Sequence, residues 1–368
     1  MNRLSIACCF ALVAAGSIPS AADDEPKAKT ENKLDFHAFV DVYYAYNPNH
    51  PANGRSFIPG TGTTARDANT FGLNLAQIEV SLPADPVGFR IAVGAGTGEE
   101  VLHLAEPGGS DAWRHLLLAS LTYQTHVGRG LAFEAGIMPA HVGFEAFSSK
   151  DNWNYTRSWL GEFSPYYETG LKVSYPFSDH WSGGLYVLNG WQTIGDNNSA
   201  QTFGTQVAYG SDKVSASFNT LAGPELANND SDWRVLGDFV LTVRATPSWS
   251  VGASVDVADE SRPAGASVSW WGAAAYARFA PEGSRYAAAL RAEYFDDPDG
   301  GISGTAQSLS EATLTFEYRP VDHLILKVEG RYDRSSEPVF ATHPLDAQAQ
   351  PVLSTNEPLF LVGVVATF

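Results

Sequence analysis

Between residues 139 and 165 the chain gathers His141, Glu145, Lys150, Asp151, Arg157 and Glu162 among Trp153, Tyr155, Trp159 and Phe163. Acids and bases held opposite one another across a narrow water path create a transverse field that sorts small polar solutes. A segment this long could fold into a lumen and constrict it. It could equally close over the top as a surface loop, or pack on a neighbouring subunit. A second set of charges recurs at alternate positions of extended segments. The bases are Arg90, Lys172, Arg234, Arg244, Arg278, Arg291, Lys327 and Arg331; the acids are Asp41, Glu79, Glu134, Asp238, Asp256, Glu293, Glu311, Glu317 and Glu329. Arg291 and Glu293 stand two apart, so on one strand both point to the same side. Such groups either line a water path and tune its ion preference, or pair to prop the walls around it.

Catalytic arrangements are weak by comparison. Outer-membrane phospholipases need a serine beside a histidine, and outer-membrane proteases pair aspartate with histidine at a loop rim. His103, Asp111 and His115 fall in one loop region, but no motif fixes a nucleophile beside a base. The histidine spacing matches no metal pattern. Gly94-Ala95-Gly96 is a lone glycine pair with no helix to follow, so no dinucleotide site is expected. The reading is of a protein without cofactor or catalytic role.

The elements that must position these charges are strands. Residues 358–368 (PLFLVGVVATF) carry an apolar stripe of period two, Phe360, Val362, Val364 and Ala366, ending on Phe368. That is the requirement for the closing strand of an outer-membrane barrel, with one face to lipid and an aromatic at the interface. In residues 249–257, Trp249, Val251, Ala253, Val255 and Val257 alternate with Ser250, Gly252, Ser254 and Asp256. In residues 323–334, Leu324, Leu326, Val328 and Tyr332 oppose Lys327, Glu329, Arg331 and Asp333. A ladder of charges behind an apolar stripe needs water on one side and oil on the other. The same rule applied throughout predicts about sixteen strands, with no Lys, Arg, Asp or Glu in the apolar stripes.

Connector lengths separate this reading from a soluble sandwich. Long links over 47–69, 97–114, 140–164 and 335–356 alternate with short ones over 83–86, 176–180, 210–213, 245–248 and 280–284. Short periplasmic turns and long extracellular loops are the pattern of an up-and-down barrel. In that register, aromatics gather at two levels. Phe36, Phe89, Tyr123, Tyr175, Trp181, Tyr209, Trp249, Phe279, Tyr286, Tyr318 and Phe368 form the periplasmic girdle. Tyr44, Tyr167, Trp191, Trp233, Trp271, Tyr294 and Tyr332 form the outer one. The predicted fold is therefore all-β: a transmembrane antiparallel up-and-down barrel over 34–368.

Upstream, Arg3 followed by an apolar run and the small residues Ser20-Ala21-Ala22 read as a cleaved secretory signal over 1–22. Residues 23–33 read as a short disordered periplasmic lead-in. Both cysteines, Cys8 and Cys9, lie inside the signal, so no disulfide is expected in the mature chain. With 41 acidic against 23 basic residues, a formal net charge of −18 argues against nucleic acid.

Several stretches resemble the OmpL-like outer-membrane β-barrel porin family: 39–48 (FVDVYYAYNP), 73–77 (LNLAQ), 143–145 (GFE), 154–158 (NYTRS), 189–191 (NGW), 221–225 (LAGPE), 291–297 (RAEYFDD) and 331–334 (RYDR). They run in order over nearly the whole mature chain. The resemblance implies a pore for small solutes and supplies no catalytic residue. The expected function is passive diffusion of small hydrophilic solutes or ions through a water-filled barrel in the outer membrane of a Gram-negative bacterium. Expected partners are outer-membrane lipid and lipopolysaccharide and, by analogy with barrels of this size, two further copies in a homotrimer. The alternative is a surface adhesin or envelope-interaction barrel whose loops over 47–69 and 335–356 bind partners. A gated receptor is disfavoured because the mature N-terminus leaves no room for a plug.

Overall fold

The computed structural model describes residues 33–104, 106, 111–345 and 350–368. The expected signal and all but the last residue of the lead-in lie outside them. The strands, in chain order, are β1 (Asp35–Tyr46), β2 (Thr70–Leu82), β3 (Val87–Ala95), β4 (Leu116–Gln124), β5 (Ala132–Pro139), β6 (Tyr167–Pro176), β7 (Trp181–Leu188), β8 (Thr202–Gly210) and β9 (Val214–Pro224). They continue as β10 (Trp233–Arg244), β11 (Trp249–Arg262), β12 (Ala266–Phe279), β13 (Tyr286–Asp297), β14 (Gln307–Val321), β15 (Leu324–Ser335), β16 (Phe340–Leu345), β17 (Pro351–Ser354) and β18 (Asn356–Thr367). Each barrel strand pairs antiparallel with its chain neighbour, and β1 closes on β18 in the register Val42↔Val364 and Tyr46↔Phe360. Sixteen strands thus form a sealed cylinder among the described residues, and β16 and β17 form a separate hairpin.

Closure satisfies the wall's backbone N–H and C=O groups internally, which hydrocarbon demands. The stripe of β18 is exposed on the outside, Phe360 at 55% and Val362 at 46%, while Leu359, Leu361 and Val365 point inward and are buried. The short turns fall at the periplasmic end and the long loops crowd the other, with one departure from the expected alternation: β11 and β12 run on so far that only Pro263–Gly265 joins them at the extracellular end. The loop 335–356 is not bare, because it carries the β16–β17 hairpin. The loop 97–114 holds a short helix, α1 (Thr97–Leu102).

Two expectations about the outer face need correction. Tyr167 and Trp191 do not belong to the lipid-facing belt. Tyr167 is buried, its ring 5.2 Å from that of His103 and its hydroxyl donating to Glu106. Trp191 lies past the end of β7, where the Arg234 guanidinium stacks over its ring at 4.8 Å. Both are drawn in because α1 and the loops cover the lumen mouth there. Nor are the outward faces free of charge along their full length: Asp259, Asp296 and Arg334 occupy outward positions at the extracellular strand ends. Desolvation falls away at headgroup depth, so charge is tolerated there.

Inside, the extracellular half of the lumen is a packed core. Tyr43, Tyr155, Trp159, Leu160, Phe163, Leu236, Trp270, Phe295, Leu309, Phe340 and Leu359 form one buried cluster. Its centre comes from the third long loop, hereafter L3 (140–166), with a single-turn helix α2 (Trp159–Glu162) capped by the Ser158 hydroxyl accepting from the Gly161 N–H.

Candidate functional site

L3 lies within the barrel, as its contacts with inward wall positions demonstrate. Lys327 Nζ donates to the carbonyls of Ser149 at 2.8 Å and Asn152 at 2.6 Å. Glu329 accepts from the backbone N–H of Tyr155 at 2.6 Å and of Thr156 at 3.0 Å. Glu293 accepts from those of Trp159 at 2.7 Å and Leu160 at 2.6 Å, at the start of α2. Asp41 takes the Tyr155 hydroxyl at 2.7 Å and the Ser149 hydroxyl at 2.6 Å. Asp238 takes the Gly143 N–H at 3.2 Å, and Asp256 the Ser164 hydroxyl at 2.7 Å.

The wall is shaped to receive these groups. A Cβ on inward-facing Gly363 would sit 2.3 Å from the Tyr155 ring, and one on Gly204 would sit 2.7 Å from the His141 ring. Only glycine leaves room for the loop at those two positions.

Each L3 charge has its own role. Glu145 accepts from Arg291 Nη1 at 2.6 Å and from the backbone and hydroxyl of Ser158, both at 2.7 Å. Burial pushes its carboxyl up, but the Arg291 and Arg157 charges outweigh that and hold it below the usual carboxylate range. Arg291 spans L3 and the wall, its Nε donating to Glu311 at 2.5 Å and its Nη1 to the Thr156 carbonyl at 2.6 Å. The Arg157 guanidinium carbon sits over the Tyr166 ring, 4.0 Å from its centroid, and the group donates to the carbonyls of Glu145 and Gly161. Arg331 is braced by Asp333 at 2.7 Å and reaches the Arg157 carbonyl.

His141 stacks on Tyr186 at 4.0 Å between centroids, with Nδ1 2.8 Å from Glu168 and Nε2 3.1 Å from the Thr220 carbonyl. Burial disfavours its imidazolium, yet the adjacent Glu168 charge prevails and raises its pKa above 6.5. Glu162 accepts from the Gly62 N–H at 2.9 Å and the Thr63 hydroxyl at 2.7 Å, which ties L3 to the first long loop. Lys150 and Asp151 pair with each other at 2.7 Å and remain partly exposed.

The wall charges therefore divide into two groups. Asp41, Asp238, Arg291, Glu293, Lys327, Glu329 and Arg331 are sealed beneath L3, out of contact with open water. Arg90 with Glu79 (2.5 Å), Glu134 near Lys172 (3.6 Å) and Arg278 with Glu317 (3.3 Å) lie in the periplasmic half; Arg90, Glu134, Lys172 and Arg278 keep partial exposure, while Glu79 and Glu317 are buried behind their arginines. The space that L3 leaves is off-centre. A cavity of about 390 Å³ runs between L3 and the β2–β6 side of the wall, past Gln77, Arg90, Glu145, Ser148 and Asp151 on its polar side and Leu117, Leu118, Phe147 and Tyr166 on its apolar side.

Some participants escaped the sequence reading. Glu168 was readable by alternation, because counting back from inward Lys172 places it inside the barrel. Glu357 takes the Phe57 N–H at 2.8 Å and the Asn47 amide at 2.9 Å, and its inward register was legible from the Phe360 stripe.

No curated protein sequence matches the chain. Among solved structures, an anion-selective porin from Comamonas acidovorans superposes with a TM-score of 0.61 at 12% identity, covering 92% of this chain and 100% of that one. The outer membrane channel DcaP of Acinetobacter baumannii gives 0.57 at 11% identity, covering 93% and 99%. OmpF of Salmonella typhi, solved with daunomycin, gives 0.58 at 14%, covering 92% and 98%. These likenesses establish a common fold. The family model described as "Putative beta-barrel porin-2, OmpL-like" matches residues 33–368, essentially every residue of the barrel. A sealed sixteen-strand cylinder with its third loop folded inward, matched end to end by that model, makes this chain a member of the OmpL-like beta-barrel porin-2 family and an outer-membrane porin.

Proposed function

We propose that this porin passes small hydrophilic solutes or ions by passive diffusion along the off-centre passage between L3 and β2–β6, acting as a channel and not as a catalyst. The observation that carries the reading is the division of the charges: the passage keeps Arg90, Asp151, Lys150, Glu134 and Lys172 near water, with Glu79 buried behind Arg90, while those opposite are locked against L3. Within this reading Asp151 and Arg90 face the solute. Glu145 forms the inner lip, and His141, Arg157 and Glu162 hold the loop that makes the constriction.

The polar side of the cavity supplies hydrogen-bonding partners to a dehydrating solute, and the apolar side supplies none. A homotrimer is part of the same reading. The outward alanines Ala273, Ala275 and Ala277 of β12 and Ala292 of β13 form a low patch, bordered by the projecting Leu290, that lets a second wall approach closely.

Recording single channels in planar bilayers tests the proposal. Stable, weakly voltage-dependent conductance is expected, with Asp151→Asn lowering the cation/anion permeability ratio. A barrel that conducts nothing, or a ratio indifferent to Asp151, removes the passage from the ion path.

A further inference from the structure

The outer wall carries a concavity that neither solute passage nor L3 explains. On β15 the outward face reads Val328, Gly330, Tyr332, Arg334, and Gly330 interrupts it with a missing side chain. A Cβ placed on Gly330 meets only the Phe360 ring, at 3.7 Å, so the space above it is open. The result is an outward apolar groove of about 440 Å³ with Gly330 as its floor, flanked by Leu314 and Phe316 on β14, Phe360 on β18, and Tyr44 and Tyr46 on β1. It opens toward hydrocarbon in the extracellular half of the membrane.

At headgroup level above the groove stands Arg334, exposed and without an ion pair among the described residues. Four residues of strand put it about 13 Å above Gly330, from a rise of about 3.3 Å per residue. Its register partner on β18 is Asn356, whose carbonyl accepts from the Asn49 amide at 2.7 Å. That brings the adjacent His50, edge-on to Tyr46 at 5.8 Å, to the same rim. The acids on these strand ends, Asp333 and Glu357, point inward and are buried.

We infer that this face is a binding site for one phosphorylated, multiply acylated glycolipid of the outer leaflet, its phosphate on Arg334 and one acyl chain in the groove over Gly330. Charge complementarity selects the occupant. In a chain of net charge −18 an outward, unpaired guanidinium at headgroup depth attracts an anion. A second copy of the same acidic barrel would bring no matching phosphate. A groove floored by glycine admits a flexible chain, and hydrocarbon left over an unfilled gap forfeits dispersion contacts.

Detergent-purified porin titrated with diphosphoryl lipid A, and separately with phosphatidylglycerol, tests this by native mass spectrometry. One lipid A per chain is expected, bound in preference to phosphatidylglycerol. Arg334→Glu should weaken it about ten-fold or more, the loss of one charge-assisted contact. Gly330→Leu should displace it by filling the groove, and its extended backbone imposes no strain. Neither residue faces the lumen, so unchanged single-channel conductance confirms that both variants are folded. Equal binding of phosphatidylglycerol, or lipid A affinity indifferent to both substitutions, overturns the inference. So does a Gly330→Leu variant that keeps its lipid A but dissociates into monomers, which would make the groove a subunit interface.

Discussion

The two halves of the lumen are built from the same alternating strands yet end in opposite states. On the β10–β18 side, the inward charges beneath L3 are spent on the loop: Arg291, Lys327 and Arg331 donate to its carbonyls or its Glu145, and Glu293 and Glu329 take its amides, while Arg278 with Glu317 and Arg234 with Glu260 pair within the wall. On the β2–β6 side the charges pair across the wall, Arg90 with Glu79 and Lys172 with Glu134, and L3 stands off them. The difference teaches that inward charge does not by itself mean a water path. Where a partner segment can satisfy it, the same charge becomes a mooring.

The sharpest way to break this contrast is to remove a mooring. Arg291→Ala takes from the buried carboxylates Glu145 and Glu311 their closest cation, leaving only Arg157 near the first and Arg331 at 3.9 Å from the second, and loss of one partner of a buried pair costs about 3–5 kcal/mol. L3 should leave the wall, seen as a lower unfolding midpoint of the detergent-solubilised barrel and as larger, noisier single-channel conductance. Gly363→Val should act in the same direction but less strongly. It drives a side chain into the Tyr155 ring, and overpacking of that kind costs about 1–3 kcal/mol. Conductance that stays at the wild-type value in both would detach L3 from control of the passage.

Proton linkage separates the moorings by pH. The folded pKa of Glu145 is depressed, so its contribution is present above the ordinary carboxylate value and is lost as pH falls through the folded one. The folded pKa of His141 is raised, so its contribution is complete below 6.5 and is lost as pH rises through the folded value. The unfolding midpoint should therefore decline on both the acid and the alkaline side. His141→Gln should flatten the alkaline limb and leave the acid one. A wild-type profile in that variant would mean His141 is neutral throughout.

The smallest effect belongs to the open side. Arg90 is part-exposed, and such pairs are worth about 0–1 kcal/mol, so Arg90→Ala should leave stability intact. It frees Glu79 to the passage and should raise the cation/anion permeability ratio about two-fold, read as a reversal potential in a salt gradient. A ratio that falls would put the ion path elsewhere.

Much of the barrel was legible because hydrocarbon imposes a rule with a period of two. The Phe360–Ala366 stripe, the alternation of long and short links and most of the two aromatic levels all follow from it. Its failures lie at strand ends, where the rule relaxes. Tyr167 and Trp191 are drawn under loops, and Arg334 emerges at the headgroups. The packed upper lumen also left a sign: β18 is apolar on both faces, with Leu359, Leu361 and Val365 behind the lipid stripe. A strand that fronted only water on its inner face would not carry them. What could not be read was the pairing of L3 with the wall. Contacts such as Glu145 with Arg291 join residues far apart in sequence, and no local pattern encodes which of many acids meets which base.

About half of the hydrogen bonds between loop and wall terminate on main-chain atoms of the loop: Glu293, Glu329 and Asp238 grip amides, and Lys327 grips carbonyls. Where the cradle recognises peptide groups, it is indifferent to the side chains they carry. Mutation can therefore redecorate the solute-facing edge, Asp151 and Ser148 among it, while the anchorage beneath persists, which lets selectivity evolve without rebuilding the barrel.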